Sequence, residues 1–176
     1  MKNDIEGNKA LCKEMPYLIP RNLFTDKISD EYDYSYIRGD YELPRGWYKL
    51  FIQMCKDIRQ PLIDAEYLDK FRFSQIKEKY GTMRCYSFGA PKAVHDIIDK
   101  YEYISEYVCE NCGKPATVRT SGWISSYCDD CARIELEGDA DSIVFRPIFI
   151  IHGRNKDGEE YERAVDCSDE WRRLIE

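Results

Sequence analysis

Two cysteine pairs carry the clearest chemistry in this chain of 176 residues: Cys109-x2-Cys112, then fifteen residues, then Cys128-x2-Cys131. A two-residue gap on a tight turn lets both sulfurs reach one ion at about 2.3 Å, and two such pairs complete a tetrahedron. Gly113 follows the first pair, where a turn of this kind calls for a positive φ. Between the pairs, Thr117–Tyr127 supplies two short β runs around Ser121-Gly122. The spacing predicts a zinc ribbon over 109–131, holding one Zn2+ through Cys109, Cys112, Cys128 and Cys131. Four thiolates fill the coordination shell and leave no position for water or substrate, so this zinc is expected to be structural. A redox-active Cys-x2-Cys would leave the second, matched pair unexplained. So short an insert buries little apolar surface, and metal binding would supply most of its folding energy.

Elsewhere the chemistry is sparse. The chain has 2 histidines, His95 and His152, and neither stands at a spacing that suggests a nucleophile or metal partner. There is no glycine-rich phosphate loop, Gly-x-Ser-x-Gly or His-Glu-x-x-His, so no catalytic residue is assigned. Cys12, Cys55, Cys85 and Cys167 read as small apolar residues. A second feature is a basic, aromatic stretch: Arg72, Lys77, Lys79 and Arg84 stand among Phe71, Phe73, Tyr80 and Tyr86. Cations for phosphates beside rings for bases are what single-stranded nucleic acid requires. A half-buried hairpin shows the same residues on its wet face whatever its function. An enzyme with a carboxylate-based site is a third reading, for which the sequence ranks no individual residue.

Composition narrows the classes. The formal net charge is -7, with 26 Lys+Arg against 33 Asp+Glu, which opposes wholesale nucleic-acid binding. Charge is uneven: residues 1–43 hold 9 acids and 6 bases, 44–101 hold 7 and 11, and 102–176 hold 17 and 9. No apolar run approaches the ~18 residues of a spanning helix, and the start lacks the apolar stretch of a secretion signal. The expectation is therefore a cytoplasmic protein with no membrane partner, in which reduced thiols favour metal over disulfide.

These motifs need elements to hold them. Residues 1–43 read as an irregular, acidic, tyrosine-rich arm, punctuated by Pro16 and Pro20 and anchored by Tyr17, Leu18, Ile19, Leu23 and Phe24. An α+β core is expected over 44–108. Trp47, Leu50, Phe51, Met54, Cys55 and Ile58 predict an amphipathic helix over 46–59 that Pro61 ends, with a short helix over 63–70. Residues 71–80 and 83–88, around Gly81-Thr82, predict a β-hairpin. Val94, Ile97, Ile98, Tyr101, Ile104 and Val108 trace a second helical face. In the acidic extension, 132–176, a strand is expected over 143–151, a turn at 155–158, a return strand over 161–165 and a helix over 169–175. The predicted fold is α+β: a helix–β-hairpin–helix core with an inserted four-cysteine zinc ribbon and a C-terminal hairpin-and-helix addition.

Several of these motifs occur together in a recognisable way: Met15-Pro16-Tyr17-Leu18-Ile19-Pro20-Arg21-Asn22, Gly46-Trp47, Ile76-Lys77-Glu78-Lys79-Tyr80-Gly81-Thr82-Met83-Arg84, and the paired cysteines with Gly122-Trp123. As a set they resemble a group of small uncharacterised zinc-ribbon proteins common in bacteriophages, prophages and their bacterial hosts. The likeness covers about residues 15–132. It implies a phage-type accessory protein without implying an activity. The expected role is a non-catalytic one through protein–protein interaction, with inhibition of a host or defence factor as its use in host–virus interaction.

Overall fold

The computed structural model describes residues 4–22, 24–37, 43–120, 123–136, 142–144, 148–154 and 160–166, the last three stretches as backbone strands. Helices and small antiparallel sheets make the chain α+β, with a cysteine cluster set among them.

The stretch that composition reads as irregular contains a helix, α1 (Ile5–Glu14). Asp4 caps it by accepting the Gly7 N–H at 3.0 Å, and Glu6 sits in the first turn, where the helix dipole favours a carboxylate. Only Asn8 and Cys12 of α1 are buried, so no apolar stripe marks the helix in the sequence. The chain then dives inward. Met15, Tyr17 and Leu18 are buried, and the Tyr17 hydroxyl donates to the Cys55 carbonyl at 2.6 Å. Of the other expected anchors, Ile19 is half-buried, Leu23 lies outside the described residues, and Phe24 is 97% exposed. Phe24 therefore anchors nothing.

A 3-10 turn at Arg45–Trp47 leads into α2 (Tyr48–Asp64), which buries Leu50, Phe51, Met54, Cys55, Ile58 and Leu62. Pro61 lies inside α2 rather than ending it, and no separate helix follows over 63–70. A proline forfeits one i→i−4 bond and crowds the preceding turn. Here that falls in the last turn, and carrying the helix through it seats Leu62 in the core, extending the stripe that Phe51, Met54, Cys55 and Ile58 begin.

Next come β1 (Phe73–Lys79) and β2 (Thr82–Ser87), antiparallel, with Lys79 opposite Thr82. That register leaves Tyr80-Gly81 as a two-residue turn with φ of 56° and 70°, the pattern of a type I′ turn, whose twist matches the strands. Phe73, Ile76, Met83 and Cys85 point into the core. α3 (Lys92–Ser105) buries Val94, Ile98, Tyr101 and Ile104, and its Tyr101 hydroxyl donates to Asp57 of α2 at 2.6 Å. α3 also covers the β2 edge with side chains. The Met83 N–H donates to Ser105 Oγ at 2.7 Å, and the Cys85 N–H to Glu102 Oε1 at 2.6 Å. Donors that would otherwise invite another strand are satisfied within the chain. Tyr17, Phe71 and Phe73 meet edge-on above α2, with centroids 4.9 Å apart for Phe71–Phe73 and 5.4 Å for Tyr17–Phe71.

The remaining elements are β3 (Val118–Thr120), β4 (Ser126–Tyr127), α4 (Asp129–Glu135), β5 (Ser142–Val144), β6 (Ile148–Arg154) and β7 (Glu160–Asp166). The single strand expected over 143–151 is two, with different partners: β5 joins β3, and β6 pairs antiparallel with β7. Pro147, which has no N–H to give a ladder, lies between them. The turn expected at 155–158 and the helix expected over 169–175 lie outside the described residues. Among the described residues, no helix is long and apolar enough to cross a membrane.

The covered strand edge is testable. Ser105→Ala leaves the buried Met83 N–H without its acceptor, which costs about 2 kcal/mol. Urea unfolding should show that loss as a lower midpoint at unchanged slope.

Candidate metal centre

The first cysteine pair sits on a knuckle after α3. Gly113 N–H donates to the Cys109 carbonyl at 2.9 Å and Cys109 N–H to the Lys114 carbonyl at 2.8 Å, closing the turn around Glu110-Asn111-Cys112. Gly113 takes φ +77°, as expected of the position after the pair. The second pair is held differently from the tight turn expected. Cys128 is the N-cap of α4 and Cys131 stands in its first turn, so a helix N-terminus presents both sulfurs. Exposed N–H groups there favour thiolate at Cys128, whereas burial and the neighbouring thiols push the Cys131 thiol up. α4 crosses the position, 131/132, where the sequence divides ribbon from extension.

Knuckle and helix meet across β3 and β4. The four Sγ atoms lie within 4.8 Å of one another, and Cys112 and Cys128 are 3.5 Å apart. A disulfide would require about 2.05 Å, and all four are free cysteines. A tetrahedral thiolate site with 2.3 Å bonds has edges of about 3.8 Å, which this spacing brackets. The donor set therefore fits a four-coordinate, thiophilic ion. Cys109 and Cys128 are buried, while Cys112 is exposed and Cys131 half-buried. Burial opposes ionisation of Cys128, but the Cys131 N–H and the neighbouring thiols outweigh it and hold that thiol below its ordinary range.

Surrounding contacts fix the two arms. Thr117 N–H donates to the Tyr127 carbonyl at 2.8 Å, and Asn111 Nδ2 reaches Glu135 of α4 at 2.8 Å. Arg45, just before α2, donates to the Asn111 carbonyl at 2.9 Å. Glu110, inside the first pair, does most of the joining. Its N–H donates to the Ser126 carbonyl, its Oε1 accepts the Ser126 N–H at 2.7 Å, and its carbonyl accepts the Gly46 N–H at 2.7 Å. Burial pushes the Glu110 carboxyl up to about 7, against the pull of the Ser126 N–H.

The centre thereby docks on the core at two places. One is Gly46, where an added Cβ would lie 2.1 Å from the Cys109 carbonyl oxygen and 2.6 Å from that of Glu110. Beside it, the buried Trp47 indole donates to the Val108 carbonyl at 2.7 Å. The other is the hairpin turn: Ser126 Oγ donates to the Gly81 carbonyl, and Arg119 Nη2 donates to that of Tyr80 at 2.9 Å. Arg119 also pairs with Glu106. Glu110, Gly46, Ser126 and Gly81 escape a linear reading as site residues because each acts through main-chain contacts with distant segments. Gly46 and Gly81 stand in the Gly46-Trp47 and 76–84 stretches, and the structure brings both against the cysteine unit.

The basic candidates separate into two kinds. Arg72 is ion-paired with Asp26 at 3.1 Å and Arg84 with Glu102 at 3.0 Å, so both arginines serve the fold. Lys77 and Lys79 stay on the outer face, over the rings of Tyr86 and Tyr80 at 5.4 and 5.3 Å. Cys12, Cys55 and Cys85 are buried, and burial raises all three thiols above their ordinary range. Cys167 lies outside the described residues. His95 is exposed on α3, and His152 falls in β6.

Comparisons with family models, with curated proteins and with solved structures return no match.

Gly46→Ala should be among the most damaging small substitutions, because the methyl meets two fixed carbonyls rather than a flexible side chain. The expected loss is at least about 3 kcal/mol. Denaturant midpoint and bound metal per chain should fall together.

Proposed function

We propose that the chain is a non-catalytic accessory protein, of the phage type its motifs resemble, which binds a partner protein through a surface held rigid by one structural zinc ion. The fold within that reading is a helix–β-hairpin–helix core with an inserted four-cysteine zinc ribbon and a C-terminal β-hairpin and helix addition. The observation that carries it is the donor set: four cysteine sulfurs within 4.8 Å of one another, enough to close a tetrahedron. Cys109, Cys112, Cys128 and Cys131 would hold the ion, which would supply folding energy rather than an open coordination position. Zinc and iron both accept four thiolates, and zinc is favoured for a site whose work is structural.

Two further features support a protein partner. Trp123 is 83% exposed and Tyr80 63% exposed, and large rings of this kind dominate binding energy at protein interfaces. A nucleic-acid module built on Arg72, Lys77, Lys79 and Arg84 loses both arginines to ion pairs, which halves its cations. In a phage setting, the partner would be a host or defence factor in the cytoplasm.

Reduced, natively purified protein should contain one zinc per chain and lack the visible absorption of a four-thiolate iron site. Chelation, or Cys109→Ser, should remove the ion and lower the thermal midpoint; metal-free protein with an unchanged midpoint overturns the structural role. Native purification with and without nuclease tests the partner. A protein should co-elute at fixed stoichiometry after nuclease treatment, and recovery of nucleic acid alone overturns the reading.

A further inference from the structure

A cleft of about 310 Å³ opens where the hairpin turn meets the cysteine unit, lined by Glu78, Lys79, Tyr80, Trp123 and Ile124. Its two walls come from different parts of the chain. Glu78, Lys79 and Tyr80 belong to the end of β1 and its turn, while Trp123 and Ile124 belong to the connection between β3 and β4. Two cross-bonds fix the walls against each other, Ser126 to the Gly81 carbonyl and Arg119 to that of Tyr80, while within the hairpin wall Glu78 Oε1 accepts the Gly81 N–H at 2.8 Å. Thr120 pins the Trp123 backbone by donating to its carbonyl at 2.6 Å while accepting the Ser125 N–H at 2.8 Å.

The rings at the mouth are exposed at some cost to the fold. Tyr80 takes φ +56°, a left-handed backbone that a bulky side chain seldom adopts, in a turn position that favours asparagine or glycine. Strain of this kind persists where a side chain has a task. Trp123 stands in solvent over the same cleft. Lys79, at the rim, adds a positive charge over the Tyr80 ring, with Lys77 two residues behind it on the same face. The cleft is preformed and faced by aromatic rings, with the Lys79 ammonium at its rim and the Glu78 carboxylate, held by the Gly81 N–H, in its wall.

We infer that this cleft is the docking point for the partner, and that its occupant is a peptide segment with one bulky apolar side chain flanked by a carboxylate. The inference rests on the protein-binding reading above. The cleft's volume suits a large side chain, and Lys79 at the rim complements the carboxylate beside it, while the Glu78 carboxylate is taken up by the Gly81 N–H. A strand of nucleic acid fits less well. Among the described lining residues Lys79 is the one cation, and even with Lys77 two residues behind it, two phosphate contacts give a single-strand salt slope of only about −1.4. The chain's net charge of -7 opposes a polyanion besides.

The test pans full-length, zinc-loaded protein against a random peptide display library and measures Kd for the selected peptides. The selected sequences should share a bulky apolar residue next to Asp or Glu. Trp123→Ala should weaken their Kd at least tenfold with zinc content unchanged. Lys79→Glu should turn the preferred flank from acidic to basic, an outcome that a merely structural lysine would not produce. Tyr80→Asn should raise the thermal midpoint, by relieving the turn, and still weaken binding. Selected peptides whose affinity survives Trp123→Ala and Lys79→Glu would overturn the cleft while leaving a protein-binding role in place. A twelve-residue oligothymidylate that binds more tightly than any selected peptide would overturn both. So would the absence of any enriched sequence.

Discussion

Everything in this fold is arranged around one close approach: the main chain of Gly46 lies against the carbonyls of Cys109 and Glu110, where no side chain can fit. Gly46 donates to the Glu110 carbonyl, and Gly113, in a left-handed conformation, faces the Gly46 carbonyl from the other side. Backbone packed this tightly onto backbone tolerates little play. The start of α2 and the first sulfur-bearing turn therefore behave as one piece.

From that contact the coupling spreads in two directions. Trp47 carries it into the core, with its indole bonded to the Val108 carbonyl and its ring buried with Leu50 and Phe51. Glu110 carries it the other way, clasping Ser126, whose hydroxyl touches the hairpin turn at Gly81. Three segments far apart in sequence share a junction, and the sulfur cluster lies beside it. A domain picture in which the cysteine-bearing segment hangs from the core as an independent module misses this. Its bonds run to the core main chain as well as within itself, from the Glu110 carbonyl to Gly46 and from the Arg119 and Ser126 side chains to the Tyr80 and Gly81 carbonyls.

The sequence discloses some of this and hides the rest for physical reasons. Repetition at three and four residues makes α2 and α3 legible, because each buries one continuous apolar face. The hairpin is legible from β-prone runs on either side of Gly81, and the cluster from its spacing alone. α1 is not, since a helix that buries only Asn8 and Cys12 leaves no periodic trace. The passage of α2 through Pro61 is hidden because the local penalty is outweighed by burying Leu62, which no local rule registers. Arg72 and Arg84 look like ligands for phosphate until Asp26 and Glu102 are found beside them, and those carboxylates are 46 and 18 residues away in sequence. Composition finds charge, while only the fold decides which charges are already matched.

The pairing of β5 with β3 has a consequence for how the molecule is made. Val144 lies opposite Val118 and Ser142 opposite Thr120, so a segment beyond the second cysteine pair completes a sheet begun between the two pairs. On the ribosome, the groove at Gly46 must wait for Glu110, the four-sulfur cluster for Cys131, and the sheet for Val144. The start of α2 is thus made long before the segments that lock it in place, and the junction closes only as the later parts of the chain arrive.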